Sequence, residues 1–318
     1  MVAYGVAAVI AALCVRAATV GVAFLAVARA GSAQEAAADE WLTRPVSDAT
    51  FRTYLEFFTY NAALPFAAQV LDTTEEQGVV REHLSYVSTP GQTVTAFLYR
   101  PSTSAAAGRG GVILLHGGSP RGKNSVAPLS TLMARDGWTV LAVDLLHYGE
   151  RVTGLFERFT NEEKSERLYN EPATYVEFVT QTVKDVRRGY DYLVQSRGVS
   201  ADRVVLVGMS RGAVLATIAG AAERRLAGVV LLHGGHVIVQ EHGHQPAACP
   251  ANYLSRIGPR PLFMLNSTND AVFLPAASIR PFQRLAREPV QIRWADGPHG
   301  FLGPEDHAAL LEWLRGVP

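Results

Sequence analysis

From residue 81 onward, short apolar runs alternate with longer stretches that have helical spacing. A short continuous apolar run predicts a strand buried on both faces, whereas apolar residues three and four positions apart predict a helix. Strands are predicted at 82–88, 93–99, 111–115, 139–143, 204–207, 229–232, 262–266 and 290–294, and helices at 127–134, 175–194, 213–222, 278–287 and 306–314. This order predicts an α/β fold, with a mostly parallel eight-stranded sheet and helices on both of its faces.

Two segments do not follow this alternation. Residues 47–72 are helical in pattern and rich in aromatic side chains, which predicts a pair of N-terminal helices packed on the sheet. We therefore expect a short helical extension over 34–80 and the main domain over 81–318. Residues 147–172 mix apolar and charged side chains, and this composition fits either a cap over a site or a plain surface excursion.

The first 33 residues carry only two charges, Arg16 and Arg29. Arg16 forms a short positive region, residues 17–27 have the length of a signal-peptide core, and small residues follow at 28–33. The segment 1–33 is thus interpreted as a signal peptide, with an uncleaved anchor or a buried N-terminal helix as the alternatives. A signal peptide predicts export to the periplasm or the medium, without stable membrane association after the leader is removed.

The overall charge argues against a nucleic-acid partner. Lys and Arg together number 29, as do Asp and Glu, and no basic stripe is evident. The hydrophobic content of 48% and the charged content of 18% are those of a globular protein. With Cys14 and Cys249 as the two cysteines, the chain has no disulfide framework.

Polar residues capable of catalysis follow four of the predicted strands. The ligand site of an open parallel sheet lies at the carboxyl ends of its strands, so these residues should meet at one edge. The four segments are His116-Gly117-Gly118-Ser119, Gly208-Met209-Ser210-Arg211-Gly212, Asn269-Asp270 and Pro298-His299-Gly300. A hydroxyl, a carboxylate and an imidazole are therefore expected at this edge, in the chain order Ser, Asp, His.

This set of motifs resembles the α/β-hydrolase family over roughly residues 81–318. The match includes the Gly-rich turn after the third strand and the G-x-S-x-G nucleophile elbow after the fifth. Within the family, the His-Gly-Gly turn and the Pro-His-Gly-Phe ending are most similar to dienelactone hydrolases, acetyl esterases and the catalytic domain of prolyl oligopeptidases. Dienelactone hydrolases use a cysteine nucleophile, and this chain has Ser210 at that position.

The resemblance implies a role for each of three residues. Ser210 would be the nucleophile, because a serine hydroxyl becomes reactive when a base takes its proton. His299 would be that base, and Asp270 would fix its tautomer and stabilise the imidazolium. Asp296, three residues before His299, is the rival acid. It follows a different strand and is interpreted as a turn residue.

The surrounding backbone should support the same chemistry. Gly208 and Gly212 suit a tight turn in which the helix packs close to the strand. The backbone N–H groups of Gly118 and Arg211 would hold the oxyanion, while the Arg211 side chain has no clear task. His116 is expected to pack beneath the oxyanion turn.

The predicted activity is hydrolysis of a small-molecule carboxylic ester through an acyl-enzyme, with no cofactor. A serine peptidase of the prolyl oligopeptidase type is the alternative within the fold, although 34–80 is too short for the propeller domain of those enzymes. A non-catalytic binding protein on the same fold is a further alternative. Neither the acyl group, the alcohol nor the oligomeric state follows from the sequence.

Two competing sites remain. Residues 117–123 have the G-x-x-x-x-G-K spacing of a phosphate loop, but Asn124 stands where a magnesium-binding hydroxyl is needed. Four histidines crowd the loop after the 229–232 strand: His233, His236, His242 and His244. No carboxylate or cysteine spacing completes a known ligand set, so structural or surface roles are expected and no metal site is predicted.

Overall fold

Within the part of the chain that the structure describes, nine strands form one sheet in the order β1-β2-β3-β5-β4-β6-β7-β8-β9. The computed structural model describes residues 40–103, 108–152 and 154–318, so the predicted leader at 1–33 lies outside the described residues. The strands are β1 Gln69–Glu76, β2 Val79–Thr89, β3 Gln92–Pro101, β4 Gly110–Leu115, β5 Trp138–Val143, β6 Val204–Met209, β7 Gly228–Leu232, β8 Leu262–Asn269 and β9 Val290–Pro298.

The sheet is antiparallel at one side and parallel over the rest. Strands β1, β2 and β3 pair antiparallel with one another, and β3 pairs antiparallel with β5. From β5 through β4, β6, β7 and β8 to β9 all pairs are parallel. The carboxyl ends of β4, β6, β8 and β9 consequently lie at one edge of the sheet, which is where the predicted site residues follow them.

The helices cover both faces of the sheet, as predicted. They are α1 Asp48–Glu56, α2 Ala127–Arg135, α3 Asn161–Lys164, α4 Pro172–Arg197, α5 Arg211–Ala222, α6 Arg280–Gln283 and α7 Pro304–Gly316. The alternation of side chains along β4 separates two cores: Ile113 and Leu115 pack in one cluster with residues of α4 and α5, and Val112 and Leu114 in the other with residues of α2 and α7.

The prediction of two helices within 47–72 is wrong, and the helical extension predicted over 34–80 does not continue to residue 80. In the described part of these ranges only α1 is an α-helix; its N-cap residue Ser47 accepts a hydrogen bond from the Thr50 N–H. Pro65 disfavours helical backbone at the residue before it. Arg188 on α4 instead donates to the carbonyl oxygens of Ala62 and Leu64, at 3.1 and 2.7 Å.

The remainder of that segment accounts for the ninth strand. From Gln69 the chain forms β1, which extends the sheet beyond the eight strands predicted. The helix predicted over 278–287 is also shorter than expected, because a π-helical turn at Pro275–Ile279 precedes the four-residue α6.

Among residues 40–103, 108–152 and 154–318, no helix combines the length and the apolar character required to cross a membrane.

Candidate active site

Ser210 lies at the sharp turn between β6 and α5. Its backbone has φ 55° and ψ −118°, a combination that side-chain-bearing residues rarely adopt and that costs on the order of 1–3 kcal/mol. The Ser210 N–H donates to the Leu232 carbonyl at 2.8 Å, which ties the turn to the neighbouring strand β7. The turn thus holds the hydroxyl out beyond the end of the strand.

The two glycines around Ser210 permit a close approach of backbone segments. A Cβ atom at Gly208 would collide with the carbonyl of Gly212. A Cβ atom at Gly212 would collide with the carbonyls of Leu115 and His116, at the end of β4. Both glycines are therefore needed for the tight packing of β6, α5 and the turn after β4, as the sequence predicts for the elbow.

The structure brings Ser210, His299 and Asp270 into one hydrogen-bonded row. His299 Nε2 lies 2.8 Å from Ser210 Oγ, and His299 Nδ1 lies 2.7 Å from Asp270 Oδ2. These three residues follow β6, β9 and β8 respectively, so the parallel register of the sheet sets their spacing. Because Asp270 accepts from Nδ1, the ring presents Nε2 to the serine hydroxyl as an acceptor.

Asp270 is nearly inaccessible to solvent and is held by backbone donors. Its Oδ1 accepts from the N–H groups of Val272 and Phe273, each at 2.8 Å. Burial raises the pKa of Asp270, but the bonds from His299 and from these N–H groups outweigh it, so the pKa lies below its usual value. Asp296, by contrast, is exposed and accepts from the Thr268 hydroxyl at 3.2 Å.

The turn after β4 packs directly on the elbow. A Cβ atom at Gly117 would lie 3.1 Å from the Cβ of Ser210. His116 is fully buried below this turn: its Nδ1 lies 2.5 Å from the Gly117 carbonyl oxygen, and its Nε2 accepts from the Leu145 N–H at 3.1 Å. Burial lowers the pKa of His116 to about 4. The neutral ring therefore fixes the orientation of the turn, consistent with the structural role expected for it.

The residues that carry the two predicted oxyanion donors line the same cavity as the serine. The Arg211 N–H belongs to the first turn of α5, where N–H groups have no acceptor within the helix. Gly118, Arg211, Ser210 and His299 all line one cavity of about 520 Å³. Donors at this position could stabilise a negative oxygen on an atom bonded to Ser210 Oγ.

Part of the 147–172 segment forms one wall of this cavity. Five residues of this part line it: Glu162, Lys164, Ser165, Glu166 and Tyr169. Tyr148, near the start of the same segment, and Gln240, in the loop after β7, add further polar groups, whereas Ile238 and Val272 are the apolar contributors. The segment is therefore part of the site, in line with the cap interpretation.

The Arg211 side chain, whose task the sequence left open, is buried in an ion pair. Its Nη2 lies 2.5 Å from Glu241 Oε1, and its guanidinium lies 3.8 Å from the centre of the Tyr169 ring. Burial raises the pKa of Glu241, but the opposing effect of Arg211 and His244 is larger, so the pKa falls to about 2. The pair joins the nucleophile helix to the loop after β7.

The phosphate-loop interpretation of 117–123 does not fit the structure. Lys123 is fully buried, and its Nζ lies 2.6 Å from Asp144 Oδ2 and 2.5 Å from Glu150 Oε1. Its ammonium group is thus neutralised below the surface and does not face an open site. The motif marks a buried ion pair beside the turn.

The histidine cluster divides between buried and exposed positions. His233 Nδ1 lies 3.1 Å from the Ser267 hydroxyl, His244 stacks on Tyr175, and His236 is buried near Cys249. His242 is exposed. Within the described ranges of the chain, no group of three or more His, Cys, Asp or Glu residues is arranged to hold a metal ion.

Known proteins relate to this chain at the level of the fold. Comparison with curated proteins gives no match. Two acetyl xylan esterases have similar structures: that of a Paenibacillus species has a TM-score of 0.64 and 16% identity, covering 89% of this chain and 100% of that one. The enzyme of a Thermoanaerobacterium species has a TM-score of 0.62 and 14% identity, covering 86% of this chain and 95% of that one.

A methylesterase, BT1017, is also similar, with a TM-score of 0.63 and 17% identity over 89% of this chain. The chain spans 64% of the length of that methylesterase. At such identities these likenesses show a shared fold. A sequence model described as "Alpha/beta hydrolase family" matches residues 112–317, which is more than half of the chain. The chain therefore belongs to the alpha/beta hydrolase family.

Proposed function

We propose that the protein is a serine hydrolase that cleaves carboxylic esters through an acyl-enzyme. The observation that carries this proposal is the row in which Ser210 Oγ, His299 and Asp270 are joined by contacts of 2.8 and 2.7 Å. A hydroxyl, a base and an acid aligned in this way form the arrangement that activates serine for acyl transfer.

The reaction begins when Ser210 Oγ attacks the ester carbonyl carbon and its proton passes to His299 Nε2. Asp270 keeps the ring in the required tautomer and stabilises the imidazolium that forms. The tetrahedral intermediate then expels the alcohol, which takes the proton from His299. Water attacks the resulting acyl-enzyme with His299 again as the base, and the carboxylic acid leaves.

Charge on the carbonyl oxygen is stabilised by the backbone N–H groups of Gly118 and Arg211. Both residues line the cavity beside Ser210, and Arg211 is the first residue of α5. N–H groups that are already oriented before the reaction stabilise the transition state more than the substrate, because the negative charge develops only as the bond to Ser210 forms.

The cavity walls favour a small acyl group attached to a polar alcohol. Ile238 and Val272 give an apolar surface, and the segment from Glu162 to Tyr169 gives a polar one. The short acyl group would contact the former, and a hydroxyl-bearing alcohol the latter. Proteins of similar fold are named acetyl xylan esterase and methylesterase, and these names support a substrate ester with a small acyl or alkyl group.

Export remains part of this proposal on sequence grounds. Residues 1–33 have the charge, length and small-residue pattern of a leader. An exported enzyme would act on esters in the periplasm or outside the cell, which suits a small-molecule substrate in solution.

A substrate panel tests the proposed activity. p-Nitrophenyl esters of increasing acyl length and an acetylated monosaccharide would be assayed beside an aminoacyl-p-nitroanilide, each with wild type and with Ser210→Ala. We expect turnover to be highest for the acetyl esters and absent for the anilide. Faster cleavage of the anilide would identify a peptidase, and turnover that persists in Ser210→Ala would exclude the proposed nucleophile.

A further inference from the structure

Two tyrosine hydroxyls meet in the cavity wall, and the reaction described above uses neither. Tyr148 follows β5, and Tyr169 ends the helical turn that begins at Ser165. Their hydroxyl oxygens form a short hydrogen bond to each other, and both residues line the cavity that contains Ser210. The bond joins the wall segment to the residues that follow the sheet.

The pair lies beside both proposed oxyanion donors. A Cβ atom at Gly118 would lie 3.3 Å from Tyr169 Oη and 3.9 Å from Tyr148 Oη. The guanidinium of Arg211 covers the Tyr169 ring at 3.8 Å. The Tyr169 hydroxyl is thus next to Gly118, and the Tyr169 ring contacts the side chain of Arg211.

One of the two hydroxyl hydrogens of the tyrosine pair is not used within the pair and can be donated into the cavity. Two phenols share a single hydrogen in an O–H···O bond, so the acceptor hydroxyl keeps its own hydrogen for a third atom. Tyr148 is the inner member: its ring packs edge-on against His116 at 5.6 Å, and Lys164 Nζ lies 5.4 Å from the centre of that ring. Tyr169 Oη is nearer to Gly118, so Tyr148 is assigned as the donor within the pair.

The Tyr148 hydroxyl remains protonated under working conditions. Burial and the neighbouring Tyr169 raise the pKa of Tyr148 well above its ordinary value. The Tyr148 hydroxyl can therefore act as the donor within the pair at neutral pH. A hydroxyl that accepts one hydrogen bond is also polarised as a donor toward the next acceptor.

We propose that the Tyr169 hydroxyl donates a hydrogen bond to the ester oxygen that becomes negative when Ser210 attacks. It is a third oxyanion donor, beside the N–H groups of Gly118 and Arg211. Tyr148 is a positioning residue that holds Tyr169 Oη and orients its hydrogen. This assignment rests on the proposed esterase function and adds a side-chain donor to it.

Tyr169→Phe tests the hydroxyl while keeping the ring on Arg211. Removal of one oxyanion donor lowers kcat by about 10²–10³-fold, and we expect about 10²-fold here with KM changed less than about twofold. Affinity for a trifluoromethyl ketone, which forms a hemiketal oxyanion with serine, should fall by a similar factor. Tyr148→Phe should lower kcat by about 10-fold, because Tyr169 keeps its hydrogen but loses its orientation.

Tyr175→Phe is the matched control. Its hydroxyl accepts from Arg211 Nη1 at 3.4 Å in the same cluster, but Tyr175 is not among the residues that line the cavity. We expect this variant to keep the kcat of wild type. An equal loss in Tyr175→Phe, or a loss in Tyr169→Phe that appears only in KM, would reveal a structural role and overturn the assignment.

Folding of each variant is measured by circular dichroism, separately from its activity. If circular dichroism shows that Tyr169→Phe is unfolded, Tyr148→Phe decides, and a wild-type kcat in that variant overturns the proposal. If wild type itself neither hydrolyses esters nor binds the ketone, the proposed function is wrong and the assignment falls with it. A wild type active on esters with an equally active Tyr169→Phe overturns the tyrosine assignment alone.

Discussion

Asp270 and His299 are 29 positions apart in the chain, yet Oδ2 of the first lies 2.7 Å from Nδ1 of the second. The rival carboxylate, Asp296, is only three residues from His299 but contacts Thr268 at the surface. Proximity along the chain therefore does not select the acid. The difference arises because β8 and β9 are adjacent parallel strands, and their carboxyl ends meet.

Asp270→Asn should lower kcat by about 10³–10⁴-fold, because an amide favours the wrong imidazole tautomer without moving the backbone. Asp296→Asn should change kcat less than about twofold. Steady-state kinetics of the two variants on a p-nitrophenyl ester make the comparison. The assignment of the acid is wrong if the larger loss occurs in Asp296→Asn.

Ser210→Ala should abolish nearly all ester turnover, with a loss on the order of 10⁴-fold or more. A fluorophosphonate probe should label wild type at Ser210 and leave the variant unlabelled, as read by mass spectrometry of the digested protein. Thermal unfolding of the variant checks that the fold is retained. Labelling of another residue in wild type would contradict the assignment of the nucleophile.

Glu241→Gln should lower the free energy of unfolding by about 3–5 kcal/mol, because it leaves the buried Arg211 guanidinium without its counter-charge. Urea unfolding at neutral pH measures this loss. Arg211→Met in the Glu241→Gln background should recover part of it, since the unpaired charge is then removed as well. If the double variant is less stable than Glu241→Gln alone, the charge is not the cause.

The free energy of unfolding should rise with pH between about 4 and 6.5, partly through His116. The folded-state pKa of His116 is lowered to about 4 from 6.5, so in this range the unfolded chain binds a proton that the folded one does not. The stability is thus lost as pH falls. One such group contributes at most about 1.4 kcal/mol per pH unit.

The contribution of His116 is measured by urea unfolding across pH 4–7. His116→Gln should reduce the slope in that window, while His242→Gln, at an exposed position, is the matched control. Equal slopes for wild type and His116→Gln would show that another group causes the acid sensitivity.

The protein expressed with its own N-terminus in a bacterial host should begin near Gly31 or Gln34 after processing. The small residues at 28–33 suit cleavage there. Edman sequencing of the purified protein from the periplasmic fraction measures this position. Residues 1–30 found intact on a protein in the cytoplasmic fraction would exclude a cleaved leader.

The buried strands could be predicted from sequence because a strand covered on both faces must be apolar throughout. β4, β6 and β7 satisfy this condition and coincide closely with their predicted positions. β1 does not, because it is an edge strand and all of its side chains are exposed or half-buried. Its sequence has no apolar period, and it lies within the helical extension predicted over 34–80.

The site was predictable to the extent that it follows strand ends. Ser210, Asp270 and His299 each come directly after a strand or at its end, so the topology of a parallel sheet is enough to bring them together. Tyr148, Tyr169 and Glu241 lie in segments between strands and helices. Their contacts with one another and with Arg211 depend on loop conformation, which no local pattern encodes.

The wall segment from Glu162 to Tyr169 belongs to the insertion between β5 and α4, while the reacting side chains are supplied by β6, β8 and β9. The two parts are separated along the chain, so a substitution in one part leaves the sequence of the other part unchanged. Substitutions within 154–170 can therefore change the selectivity for the alcohol while the residues that carry out the hydrolysis stay the same. A library restricted to 154–170 would sample new alcohols on an unchanged catalytic sheet, provided that Tyr169 is held constant.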